Sequence, residues 1–165
     1  MTGIARNERE DVVKIWVDAD ACPAAIKEVI VRGAERLAVP AVFVANKHVG
    51  LPRSTCATAV RVAAGPEVVD DYIARHAEAS DLVVTQDIPL ASVLVSKGVT
   101  VLSPRGELHT EGNIGERLSI RNFMHDAREA GVITPGPHSF GQKEKQRFSN
   151  TFDRELTRCS KQAGE

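Results

Sequence analysis

Short apolar runs alternate with stretches of helical periodicity along most of this chain. Val12 to Val17 is β-branched and apolar except at Lys14, and predicts a first strand. From Pro23 to Leu37, Ile26, Val29, Ile30 and Gly33 or Ala34 recur at helical spacing. Lys27, Glu28, Arg32, Glu35 and Arg36 take the other side, which predicts an amphipathic helix. Pro40 breaks it, and Ala41 to Ala45 predicts a second strand. Asn46 to Thr58 contains Gly50 and Pro52 and reads as a loop carrying Lys47, His48 and Arg53, before a weaker strand over Ala59 to Ala63.

The alternation continues after Gly65-Pro66, with a helix expected from Glu67 to Ala79 and a strand from Asp81 to Thr85. A shorter helix, Ile88 to Lys97, has Pro89 in its first turn and Gly98 at its end. Val99 to Leu102 is the last expected strand, followed by the turn Ser103 to Gly106. Two helices are expected beyond it, Asn113 to Ala130 and Gln142 to Cys159, separated by the Gly/Pro-rich link Thr134 to Gly141. Strands alternating with helices of this length form parallel βαβ units with helices on both faces of the sheet. The expected fold is thus α/β, a three-layer sandwich with a mainly parallel sheet. Right-handed crossovers bring every parallel strand's C-terminal end to one edge. Asp18, Asp20, Asn46 and Asp87 emerge there, where open α/β sheets bind ligands.

The bulk composition adds limits. With 165 residues, 42% hydrophobic and 26% charged, the chain has the size and balance of one soluble domain. Residues 1–12 are polar and charged, and are expected to be a flexible extension to a single domain spanning 13–160. A formal net charge of -1 does not mark the whole chain as a nucleic-acid binder, although Gly141 to Glu165 carries six Lys/Arg against four acids. Three scattered cysteines without a C-x-x-C pair suggest a reducing compartment, and no apolar run reaches the length of a membrane span. A cytoplasmic location without membrane contact is expected.

The candidate chemistry lies in carboxylates. Asp18 ends a buried strand, where an unpaired charge is costly. Asp20 and Asp87 each stand shortly before a proline-started helix, so each has the alternatives of helix cap and ligand. Asp70 and Asp71 separate by helical geometry. Positions three, four and seven after Asp70 are Ile73, Ala74 and Ala77, whereas those after Asp71 are Ala74, Arg75 and Glu78. Asp70 therefore faces the core side and Asp71 the solvent. Asp81 opens its strand at the opposite edge and reads as structural. Asp18, Asp20, Asp70 and Asp87 form the candidate catalytic cluster. Such oxygen-only ligands suit Mg²⁺ or Mn²⁺, and the matching chemistry is attack on phosphate. Asn46, Lys47, Arg53 and Arg105 are the candidate substrate contacts.

Other chemistries fit less well. A cysteine-based phosphatase wants an arginine six residues on, but Glu28 follows Cys22 and Val62 follows Cys56 at that spacing. The five histidines lack metal-ligand spacing, and no Gly-rich phosphate loop occurs. Asp18-Ala19-Asp20 resembles the opening of haloacid-dehalogenase-type phosphatases, with Thr85 and Lys97 as stand-ins for later motifs. No strand-end acidic pair follows Lys97, however.

Asp18-Ala19-Asp20-Ala21-Cys22-Pro23, Ala45-Asn46, Asp81 through Ala91 and Pro104-Arg105-Gly106 together resemble the bacterial YaiI/YqxD family. The likeness runs through Ile114, Leu118, Arg121 and Gly136-Pro137, and covers about Lys14 to Leu156. It implies a PIN-like α/β/α fold of the kind that often houses Mg²⁺- or Mn²⁺-dependent ribonucleases. On that pattern the metal acids would be Asp18, Asp70 and Asp87, with Asp20 as an additional acid and RNA as the substrate. A non-catalytic RNA- or protein-binding module and a small-molecule phosphatase are the alternative readings.

Overall fold

The computed structural model describes residues 13–133 and 140–163. The expected N-terminal extension and most of the Gly/Pro-rich link lie outside the described residues. Among the described residues six strands form one sheet: β1 Ile15–Asp18, β2 Ala41–Ala45, β3 Ala57–Arg61, β4 Leu82–Val84, β5 Thr100–Leu102 and β6 Leu108–His109. Their order is β3-β2-β1-β4-β5-β6, parallel throughout except for β6, which runs antiparallel to β5. The helices are α1 Ala24–Leu37, α2 Val68–His76, α3 Ile88–Ser96, α4 Glu111–Glu129 and α5 Gln142–Ala163. The fold is a three-layer α/β/α sandwich.

Apart from the largely exposed edge strand β3, the strands are buried on both faces, and their alternation divides the core in two. Ile15, Val17, Ala41, Phe43, Leu82, Val84 and Leu102 point toward α1 and α5. There Ile26, Ile30, Phe148, Phe152 and Leu156 cover them. Trp16, Val44, Val83 and Val101 point the other way, onto Val69 and Ile73 of α2, Leu90 and Leu94 of α3, and Ile114 of α4. Asp18 follows Val17, so the two-residue period of a strand sends its side chain to the Trp16 face, the face of α2 and α3.

Chain order creates the crevice. The chain passes from β1 through α1 to β2 and then β3, all on one side of β1, and returns through α2 to β4 on the other. The carboxyl ends of β1 and β4 thus flank a topological switch point, where such sheets open for ligands.

Several boundaries differ from the sequence reading, each for a local reason. The third strand lies at Ala57–Arg61 rather than Ala59–Ala63, because Ala41 N–H already pairs with Cys56 C=O at 2.9 Å. The second helix stops at His76, since Ala77 turns to an extended conformation and Glu78 N–H is claimed by the Asp81 carboxylate. The fourth helix starts at Glu111. Thr110 accepts from Asn113 N–H at 3.2 Å, and Asn113 Oδ1 accepts from Thr110 N–H at 2.8 Å, a reciprocal cap that leaves no break before Asn113. The two-residue β6 is too short to give a periodic signal.

Gly106 carries a specific stability prediction. It has φ +88°, and a Cβ there would lie 2.7 Å from both Arg147 C and Phe148 N in the α5 backbone. Gly106→Ala should cost about 2–4 kcal/mol, combining the left-handed penalty with forced displacement of α5. Urea denaturation checks it, and wild-type stability in the variant would contradict the close approach.

Candidate functional site

Asp18 sits at the end of β1, the strand with β2 on one side and β4 on the other. Its Oδ2 accepts the Thr85 hydroxyl at 3.1 Å, and Thr85 Oγ1 in turn accepts Asp87 N–H at 3.0 Å. Thr85 therefore ties the ends of β1 and β4 together and sets Asp87 beside Asp18. Asp87 also caps α3, taking Leu90 N–H on Oδ1 at 2.8 Å, with Pro89 in the first turn as expected. The cap occupies one oxygen and leaves Oδ2 for other work.

Asp70 reaches the same place from α2. Burial lifts its carboxyl first, then the hydrogen bond and charge of Asp87, followed by the charges of Asp18 and Glu67; together they raise it to about 7. Asp18 is also raised, chiefly by burial and then by Asp87 and Asp20, while the Thr85 hydrogen bond lowers it. Three acids from β1, α2 and the β4–α3 turn thus share one field. Mutual repulsion of this kind favours a shared proton or a neutralising cation.

Glu67 completes the acidic wall. It precedes α2 in the left-handed region, at φ 67° and ψ 0°, a conformation that is costly for a side chain with a Cβ. Glu67, Asp70, Asp87, Pro89, Val93 and Arg121 line a cleft of about 270 Å³. The sequence reading missed Arg121 on α4 and Glu67, and Asp71, exposed as expected of a solvent-facing charge, lines the cleft as well. Arg121 was visible only as part of a family likeness, because packing of α4 on α3 brings it there. Glu67 carried no sequence signal beyond its place before a helix.

The other candidates are distributed differently. Asp20 is neither a helix cap nor part of the cleft wall. Pro23 is the N-cap of α1 and makes no side-chain bond, while Asp20 Oδ2 accepts Asn46 N–H at 2.9 Å. Asp20 and Asn46 thus join the β1–α1 loop to the end of β2, and the exposed Lys47 follows at that edge. Arg105 lies 3.8 Å from Glu144 and over the Phe140 ring, so its side chain is turned toward α5. Arg53 is not brought to the acids: with Glu35, Ala38 and Cys56 it lines a cleft where α1 ends and β3 begins, at the opposite edge of the sheet. Lys97 is at that far edge too, and its amine donates to the carbonyls of Ala74 and Ala77 at 2.7 and 3.3 Å.

Among the described residues no group of three or more His, Cys, Asp or Glu is drawn together as a metal-holding set. The acids act on one another electrostatically without forming a closed cage. The raised Asp70 has a pH consequence. Its folded-state value exceeds the unfolded one, so the folded protein retains a proton that the unfolded chain releases between about pH 4 and 7. Stability from this group is therefore present at low pH and lost as pH rises through about 7. Solvent screening holds the effect to about 1 kcal/mol or less. Asp70→Asn should flatten that part of the stability–pH curve and gain stability at pH 8. Urea midpoints at pH 5, 6, 7 and 8 measure it, and parallel curves for variant and wild type would contradict the placement.

The class of protein defined here is an α/β/α sandwich with a carboxylate cleft at the switch point of its sheet. The chain belongs to the family described as "Uncharacterized BCR, YaiI/YqxD family", whose pattern it matches over residues 16–158. It is 70% identical over 152 residues to a UPF0178 protein of Syntrophobacter fumaroxidans, covering 92% of this chain and 99% of that one. It is 53% identical to a UPF0178 protein of Myxococcus xanthus over 149 residues, covering 90% and 97% of the two chains. A UPF0178 protein of Psychromonas ingrahamii is 50% identical over 147 residues, with 89% and 97% covered. No solved structure matches. Among the described residues no helix is long and apolar enough to cross a membrane.

Proposed function

We propose that this protein is a PIN-like, metal-dependent nuclease that hydrolyses phosphodiester bonds of RNA at the carboxylate cleft. The observation that carries this reading is the convergence of Asp18 and Asp87 on Thr85 with Asp70 set against Asp87, three carboxylates whose mutual repulsion favours a cation between them. Their chemistry fits Mg²⁺ or Mn²⁺: the donors are all oxygen, and Mg²⁺ is commonly held by one or two carboxylates with water and substrate phosphate filling the remaining positions. A preassembled cage of three is therefore not required. Asp18, Asp70 and Asp87 would hold the ion, which supplies Lewis-acid polarisation of the phosphate and an activated water.

The chain's own groups have separable tasks. Thr85 orients Asp18 through its hydroxyl and Asp87 through the backbone, which limits their reorganisation when charge builds on phosphate. Asp70, brought from α2 against Asp87, would add the third carboxylate to that set. Asp20 holds the β1–α1 loop against Asn46 and so keeps the rim in place. Lys47 follows at the same edge as the exposed cation nearest in sequence to that contact.

The test is Mn²⁺-dependent cleavage of labelled RNA and DNA pools by the wild-type protein, with Asp18→Asn in parallel. Product with wild type alone supports the reading, and equal product with the variant overturns it. A second reading is a non-catalytic module that docks a protein on α4, favoured by Phe123, which is 70% exposed, and Ile120, which is 54% exposed. It predicts a binding partner without metal-dependent turnover.

A further inference from the structure

A second groove opens beside the carboxylate cleft. Ile88, Glu107, Glu116, Arg117, Ile120 and Arg121 line a space of about 730 Å³ between the start of α3 and the middle of α4. Arg121 belongs to both walls, so the groove and the cleft meet at that guanidinium. The two arginines of the groove are differently engaged. Arg117 donates to Leu108 C=O at 2.9 Å, contacts His109 Nδ1 at 2.8 Å and lies 4.0 Å from Glu107. The only hydrogen bond of Arg121 among the described residues goes to its neighbour Asn122 at 3.1 Å, and no carboxylate there pairs with it. An exposed, uncommitted guanidinium at the mouth of an acidic cleft is placed for an anion that bridges the two spaces.

Two apolar residues stand among these polar ones, and an aromatic ring lies close by. Ile88 and Ile120 form groove wall, and Phe123 lies one helical turn beyond Ile120 with most of its ring in solvent. A phosphate beside a flat apolar ring is the repeating unit of a single-stranded polynucleotide, whose bases stack on exposed aromatics. A duplex would present rows of phosphates and call for several free cations, where this groove offers one.

We infer that the α3–α4 groove seats a single-stranded polynucleotide running out of the carboxylate cleft, with Arg121 on a phosphate and Ile120 and Phe123 against a base. The assignment deepens the nuclease reading by naming the strand's path, and rests on that reading only for the direction in which the strand leaves. Glu107 and Glu116 on the same walls discourage a second phosphate, so Arg121 is the main charge contact.

The experiment measures binding without turnover. A fluorescein-labelled single-stranded 12-mer, as RNA and as DNA of the same sequence, is titrated with the full chain in EDTA and followed by anisotropy at several salt concentrations. Arg121→Gln should weaken binding about tenfold, the scale of one charge-assisted contact, and make the salt slope shallower by about 0.7. Arg121→Lys should recover part of the loss, and Phe123→Ala should weaken binding about tenfold with the salt slope unchanged. Preference for the RNA strand or equal binding of both defines the sugar requirement, and either supports the groove. No measurable binding by wild type, or wild-type affinity in Arg121→Gln, overturns it. The nuclease reading fails separately: Arg121-dependent binding with no Mn²⁺-dependent product leaves the groove standing, and cleavage whose KM ignores Arg121→Gln removes the groove and keeps the nuclease.

Discussion

Asp18→Asn should reduce Mn²⁺-dependent cleavage by at least about a hundredfold, the scale lost with a charged group acting at the transition state. The fold should survive. Asn has the same shape, and its amide oxygen can still accept the Thr85 hydroxyl that Asp18 receives at 3.1 Å. The substitution also removes a charge that burial, Asp87 and Asp20 all disfavour, so the variant should match or exceed wild-type stability. Loss of activity together with unchanged or higher stability separates a functional acid from a structural one. Rates under single-turnover conditions and urea midpoints on the same preparations provide the comparison. A variant as active as wild type would remove Asp18 from the chemistry.

Asp81→Ala should have the largest effect on stability, about 3–5 kcal/mol, without altering the cleft. Asp81 is almost fully buried at the start of β4. Its carboxylate accepts three hydrogen bonds: Lys14 N–H and Trp16 Nε1–H at 3.0 Å, and Glu78 N–H at 2.9 Å. Removing it leaves three donors without their partner, each costing about 1–3 kcal/mol where water cannot reach. Circular dichroism in urea measures the loss. Unchanged affinity for the labelled 12-mer under folding conditions would show that the damage stays at the far edge. A loss below about 1 kcal/mol would mean that the three donors find other partners.

Much of the architecture was legible because it depends on local pattern. Buried β-branched runs, proline-started helices and right-handed crossovers suffice to put Asp18 and Asp87 on one edge and Asp81 on the other. Asp70 was separable from Asp71 by helical spacing, and the structure brings Asp70 to Asp87. The less legible parts depend on distance along the chain. The β2–β3 connection has no helix, so its eleven intervening positions return Arg53 to the far edge while leaving Lys47 next to Asn46 and its contact with Asp20. Asp20 had two plausible local roles and took a third, across 26 residues to Asn46. Arg121 reaches the cleft through helix–helix packing, which no nearby sequence signal encodes.

The reciprocal cap at Thr110 matters for the same reason. It fixes where α4 begins, and α4 carries Arg117, Ile120, Arg121 and Phe123 in consecutive turns. Helix geometry then sets their spacing along the groove. A shift in that starting point would rotate the set away from the cleft.

Trp16 is the chain's only tryptophan. It stands two residues before Asp18, and its ring meets Tyr72 and His76 of α2 at centroid distances of 6.3 and 5.9 Å. The helix that presents Asp70 is thus packed directly on the sole indole. Intrinsic emission from this residue reads the docking of α2 from inside the molecule, so any ligand that draws Asp70 toward Asp87 announces itself as a change in tryptophan fluorescence without a label.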